Sequence, residues 1–187
     1  IDARLRPNGR SGLLVSSVDA FKRYQMEEAW VWELQALTRA RAFAGDTQTA
    51  KQFAAIREDV LTTARDKTEV KTDVLAMRER LRKEHGNTKP IKHGRGGLLD
   101  IEFVVQLGLL LNANDYPDVI TSAQVTSQLN ALHDCGWLNT DAHRILDSAY
   151  AQLSHARLQA GLVDDSASVK ITPLLNIAQA LCDEILG

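Results

Sequence analysis

Leu98-Leu99-Asp100-Ile101-Glu102-Phe103-Val104-Val105-Gln106-Leu107-Gly108-Leu109-Leu110-Leu111 is the strongest apolar helix in the chain, and its reading decides the fold. The stretch is short of the roughly 20 apolar residues needed to cross a bilayer, and Gln106 and Gly108 interrupt it. It is a helix of a protein interior. The segments around it carry the same 3.6-residue period. Upstream, the pattern predicts a helix from Asp19, its N-cap, to Phe43, with Phe21, Tyr24, Trp32, Ala36 and Ala40 near one face and Gly45 as its stop. Asp46 or Thr47 then caps a helix running to Leu61, and a charged helix from Lys67 to Glu84 ends at Gly86 and Asn87. Downstream, helices are expected at Ser122–Cys135, Thr140–Gly161 and Pro173–Leu186, with Gly136, Asn139 and the polar Asp164–Ser168 stretch as breaks.

Only the first residues depart from this period. Ile1 to Leu5 alternates apolar and polar side chains like a strand, and Arg6-Pro7-Asn8-Gly9 carries turn chemistry. A lone strand leaves its backbone groups unpaired, so either Leu13–Ser16 pairs with it or its sheet lies elsewhere. The expected architecture is mainly α: a helical bundle over residues 19–187, preceded by a short β remnant over 1–18. The opening at Ile1, without an initiator Met or a basic leader, reads as a segment of a longer protein.

Composition narrows the function classes. Lys and Arg number 22 against 24 Asp and Glu, a net charge of -2, so there is no general attraction to nucleic acid or anionic membrane. Cys135 and Cys182 sit in apolar helical contexts without ligand-spaced partners, which suits buried thiols in a reducing cytoplasm. The five histidines form no ligand-spaced pair.

Three stretches could carry chemistry. In Asp2-Ala3-Arg4-Leu5-Arg6-Pro7, strand alternation puts Asp2, Arg4 and Arg6 on one face, where a carboxylate can hold a metal ion and guanidinium groups can hold phosphate. A solvent-facing Asp–Arg pair is the plainer alternative. In Lys92-His93-Gly94-Arg95-Gly96-Gly97, glycines allow close backbone approach before a helix N-terminus, and Lys92 and Arg95 add positive charge. That is an anion cradle in principle, though the glycine spacing is that of neither a P-loop nor a dinucleotide fingerprint. A helix-to-helix connector is the alternative, with Asp100 and Glu102 complementing the helix dipole. On the cradle reading, a β-branched residue at Gly96 or Gly97 impairs turnover more than folding. Two residues apart on a helix, Asp100 and Glu102 face different ways, so one can serve the loop and the other a neighbouring helix. In Glu28-Ala29-Trp30-Val31-Trp32-Glu33 through Arg39 and Arg41, the tryptophans read as packing anchors, and Glu28 or Glu33 could pair with Arg39 or Arg41, a role for Arg39 or Arg41 near a phosphate being the alternative.

Taken in order, DARLRP, GLLVSSVDAFKRYQ, AWVWELQALTRAR and KHGRGGLLDIEFVVQ resemble the glutamine synthetase adenylyltransferase family, the bifunctional enzymes that add and remove AMP on a tyrosine of glutamine synthetase. The wording is more similar to the carboxy-terminal, adenylylating half. The resemblance implies that residues 1–18 end a polymerase-beta-like nucleotidyltransferase domain and that residues 19–187 form the helical domain after it. It implies Mg²⁺ as cofactor and ATP as substrate. Asp2 then matches a metal-binding catalytic carboxylate, with Arg4 and Arg6 matching the arginines beside it. The family's Gly-Ser-Asp motif and Asp-x-Asp pair are absent from this sequence, and Asp2 alone cannot position two ions. The isolated chain is therefore expected to be inactive. The expected partners are glutamine synthetase, a PII-type signalling protein and the missing catalytic domain, in the cytoplasm. The alternative is a regulatory helical module that binds glutamine synthetase, a PII-type protein or glutamine without taking part in the chemistry.

Overall fold

The structure, a computed structural model, describes residues 15–85, 89–160 and 172–186. The expected strand, with Asp2, Arg4 and Arg6, lies outside the described residues. Within them the regular structure is helical throughout: α1 (Val18–Glu27), α2 (Val31–Leu37), α3 (Thr47–Thr62), α4 (Lys67–His85), α5 (Pro90–His93), α6 (Leu98–Asn112), a 3₁₀ turn (Pro117–Ile120), α7 (Val125–Asp134), α8 (Thr140–Ala160) and α9 (Thr172–Leu186).

The single helix expected from Asp19 to Phe43 is two, broken at Glu28–Trp30 and ended at Leu37 rather than Phe43. The first is capped by Ser17 rather than by the expected Asp19, because the Ser17 hydroxyl accepts from the Ala20 amide at 3.2 Å. The break has a local cause in Glu33. Its carboxylate reaches back to accept from the Trp30 amide at 3.0 Å, the reciprocal arm of a capping box, and so starts a new helix. The Tyr24 hydroxyl closes the joint from α1, 2.9 Å from each Glu33 oxygen. Trp30 is left at the corner, 68% exposed rather than anchoring the core.

At its other end α2 stops on a buried cation. Arg57, from α3, donates to the carbonyls of Leu37 at 3.0 Å, Thr38 at 2.6 Å and Ile120 at 2.6 Å. The last carbonyls of a helix have no partner of their own and carry partial negative charge, so one guanidinium satisfies them and ties α2 to the 3₁₀ turn. Gln128 of α7 adds bonds to the Thr38 and Ser122 carbonyls, both at 2.9 Å. Burial pushes the Arg57 pKa down, yet a guanidinium stays charged. Arg57→Met keeps the stem and removes all three bonds; it should destabilise the chain by about 2 kcal/mol, or roughly 4–8 °C in melting temperature. Equal melting curves would remove Arg57 from any role in holding α2.

The remaining helices wrap α6. Leu98, Ile101, Phe103, Val104, Val105, Leu107, Leu109 and Leu110 are all buried, around the helix except along the half-buried stripe of Leu99, Glu102 and Gln106. Val70 and Val74 of α4, Leu129 and Leu132 of α7, Leu146 and Leu153 of α8, and Ala178, Cys182 and Leu186 of α9 complete this core. Gly108 is where α7's exit comes closest: a Cβ there would lie 2.6 Å from the Trp137 ring. The short helix α5 was not foreseen. Pro90 starts it with a pre-set φ, and the Gly94 amide closes it on the Pro90 carbonyl at 3.0 Å. Cys182 is buried and its thiol is pushed up to about 12 by burial, which keeps it inert.

Candidate functional site

The first turn of α6 sends two carboxylates in different directions, and each organises a cluster of its own. Asp100 faces the core. It accepts from Arg78 Nε at 2.9 Å and Nη2 at 3.1 Å, from Arg82 Nη2 at 2.9 Å, and from the Gly96 amide at 2.9 Å. Arg78 also donates to Asp183 of α9 at 2.8 Å. The side chains of Arg78 and Asp100 are only 7% and 4% exposed, a buried pair that Arg82 and the half-exposed Asp183 complete at the edge of the core. Burial opposes the charge on Arg78, but hydrogen bonding and charge from Asp100 and Asp183 raise its pKa. Burial likewise opposes charge on Asp183; the Arg78 hydrogen bond and the charges of Arg78 and Arg82 outweigh it and hold that carboxylate below its ordinary value.

This arrangement decides what the glycines do. Gly96 has φ +69°, and a Cβ on it would lie 2.0 Å from the Leu175 carbonyl and 2.6 Å from the Gln179 amide of α9. A Cβ on Gly97 would lie 2.8 Å from the Gly94 and Ile91 carbonyls. The Gly96 amide is taken by Asp100 and the Gly97 amide by the Gly94 carbonyl at 2.9 Å. The loop therefore presents neither of these donors to a phosphate; it is a close-packed joint between α5, α6 and α9. Arg95 stays exposed at its tip.

Glu102 turns the other way, toward a cleft of about 820 Å³ between α5, α6, α8 and the segment after α2. Arg39 Nη1 lies 2.6 Å from Glu102 Oε1, and the Tyr150 hydroxyl donates to the same oxygen at 3.4 Å. The expected pairing of Glu28 or Glu33 with Arg39 or Arg41 thus gives way to a partner on another helix. Lys92 and Arg157 also line the cleft, with Ser154, Leu98 and Leu158. Among the described residues neither Lys92 nor Arg157 has a carboxylate partner. The local field is positive: burial, then the charges of His85, Lys92, Lys89 and Arg157, push the His93 pKa down. Burial and the neighbouring Glu102 charge push the Tyr150 phenol up against the pull of Arg39 and Arg157.

Of the residues expected to bind phosphate, the structure places Lys92 in this cleft, Gly96 and Gly97 in the joint, and Arg95 in solvent. Tyr150, Ser154 and Arg157 were missed, although their spacing of four and three residues puts them on one helical face. A second cleft of about 930 Å³ lies beside α3 and includes Arg41, Lys51, Phe53, Glu58 and Asp118. Its charges are mixed, and its inner guanidinium, Arg57, is already bonded to three carbonyls. No group of three or more His, Cys, Asp or Glu side chains among the described residues could hold a metal ion. Asp100 and Glu102 are both committed to arginines, so neither fits Mg²⁺. No helix among the described residues is long and apolar enough to cross a membrane.

Comparison with known proteins identifies related sequences along nearly the whole chain. A family model described as Glutamate-ammonia ligase adenylyltransferase matches residues 1–56, and one described as GlnD PII-uridylyltransferase matches residues 68–173. Curated relatives carry the name bifunctional glutamine synthetase adenylyltransferase/adenylyl-removing enzyme. That of Hahella chejuensis is 44% identical, covering 79% of this chain and 16% of its own length. Those of Burkholderia mallei and Chromobacterium violaceum are each 41% identical, covering 92% and 96% of this chain and 20% of their own lengths. The chain thus spans a fifth or less of the curated relatives it matches.

Proposed function

Because the chain belongs to the glutamine synthetase adenylyltransferase family, we propose that it is the helical part of an enzyme that transfers AMP from ATP to a tyrosine of glutamine synthetase. The observation that carries this reading is the 41% identity sustained over 92% of the chain. Residues 1–18 would then close a nucleotidyltransferase domain, and residues 19–187 the helical domain beside it, in the adenylylating, carboxy-terminal half. Asp2, Arg4 and Arg6 would contribute to the catalytic metal and phosphate site. The first turn of α6 offers no second carboxylate, since Asp100 and Glu102 are ion-paired, and on this reading the Mg²⁺ ligands besides Asp2 would belong to a preceding domain. Mg²⁺, where bound, would stabilise charge on the phosphates of ATP; the helical bundle's own contribution would be to flank the nucleotide. Glutamine synthetase is the protein substrate on this reading, and the cytoplasm its place of action.

A second reading is favoured by the uridylyltransferase match over residues 68–173. Here the helices are a regulatory module for glutamine synthetase, a PII-type protein or glutamine. Two measurements separate the two. The 187-residue chain, incubated with glutamine synthetase, labelled ATP and Mg²⁺, should leave its target unlabelled, whereas the full-length enzyme labels it and its Asp2→Asn variant does not. Label transfer by the isolated chain would refute the domain assignment, and full activity of the Asp2→Asn enzyme would leave only the regulatory module.

A further inference from the structure

The cleft at Glu102 has more positive charge than the fold uses. Arg39, Lys92 and Arg157 face it against a single carboxylate, and only Arg39 is paired with that carboxylate. Cations gathered at one cleft repel one another, and nothing in the packing requires Lys92 or Arg157 to be there: Arg157 is exposed and Lys92 half-buried. The third cation is held in place differently. Arg39 uses one nitrogen on Glu102 at 2.6 Å and is 40% exposed, so its remaining N–H donors are accessible beside the cleft. Glu102 in turn is fixed from two sides, by Arg39 and by the Tyr150 hydroxyl.

We propose that this cleft is an anion site that takes a phosphate group, with Lys92 and Arg157 supplying the uncompensated charge and Arg39 a guanidinium pre-positioned by Glu102. The surplus of two positive charges matches a phosphate ester, which carries about -1.5 to -2 at neutral pH. Guanidinium groups bind its oxygens with directed, charge-assisted hydrogen bonds. The Ser154 hydroxyl lines the same cleft, and Leu98 and Leu158 give it apolar surface. An extended nucleic acid is a poor occupant, since the chain as a whole carries a net charge of -2. The proposal stands on the cleft alone and holds whether or not the chain takes part in adenylyl transfer. It also moves the anion away from the glycine loop, whose Gly96 and Gly97 amides are occupied.

The test is titration of the 187-residue chain by calorimetry with inorganic phosphate, AMP and ATP. Saturable binding is expected, with phosphate on the order of 1 mM. Arg157→Ala and Lys92→Ala should each weaken it about tenfold, and the pair together should abolish it. Lys83→Ala, which removes an exposed charge outside the cleft, should change nothing. Arg157→Gln and Lys92→Gln serve where an alanine variant fails to fold. Tighter binding of ATP or AMP that inorganic phosphate displaces makes the source a nucleotide; phosphate binding with no gain from the nucleoside makes it free phosphate, and both support the site. Three results overturn it: no saturation up to about 10 mM, equal loss in Lys83→Ala, or nucleotide binding that phosphate does not displace.

Discussion

Asp100→Asn should destabilise the chain by about 3–5 kcal/mol, a large share of the roughly 5–15 kcal/mol that holds a typical domain folded. The substitution is nearly isosteric, so the effect isolates charge and hydrogen bonding. An amide in that place turns a donor toward the Arg78 and Arg82 guanidinium groups, which are themselves donors only. It leaves Arg78, 7% exposed, with Asp183 as its remaining carboxylate, itself 40% exposed. Uncompensated charge in the interior is among the most expensive defects a core can carry. Urea unfolding of Asp100→Asn, Arg78→Met and the Asp100→Asn/Arg78→Met double variant checks the cause. The double variant should be more stable than the sum of the single losses by at least about 1 kcal/mol. Additive losses would mean that the two residues stabilise the fold separately, and the compensated cluster would be discarded.

Gly96→Val should loosen α9 rather than spare the fold. The valine Cβ would fall 2.0 Å from the Leu175 carbonyl, and β-branched residues tolerate the +69° φ of this position poorly. The obstructing atoms are backbone, so α9 must withdraw, at a cost of about 3 kcal/mol from strain and overpacking together. Withdrawal uncovers Ala178, Cys182 and Leu186, all fully buried. A thiol reagent reports it directly: in a Cys135→Ser background Cys182 should be nearly unreactive, and should react at least about tenfold faster once Gly96→Val is added. Unchanged Cys182 protection together with lost phosphate binding by the Gly96→Val chain would restore the glycines to a ligand site. The sequence alone suggested that outcome, because a glycine loop before a helix looks the same whether an anion or another helix approaches it.

That ambiguity shows where reading the sequence succeeds and fails. α3, α4, α6, α8 and α9 fall within a few residues of their expected bounds, since each has a sustained apolar period and a clear stop. The break between α1 and α2 escaped notice because Glu28, Ala29 and Trp30 contain no helix breaker; Glu33 makes it by capping backward. Asp100 and Glu102 part as their spacing requires, but their partners at Arg78, Arg82, Arg39 and Tyr150 lie on other elements. Lys92 was visible as a cation beside glycines. Arg157 was not, because only the packing of α5 against α8 brings the two together. The charges of a cleft assembled from four elements leave no local signature in any one of them.

The packing of α6 among four other helices has a kinetic consequence. An amide proton exchanges with solvent only when its hydrogen bond opens, and opening α6 means displacing α4, α7, α8 and α9 at once. Deuterium should therefore enter the amides of Ile101 to Leu110 last, on the timescale of complete unfolding. Entry at α1 and α2, where Trp30 lies at an exposed corner, should be much earlier. The order of labelling would follow distance from one apolar helix rather than position along the chain.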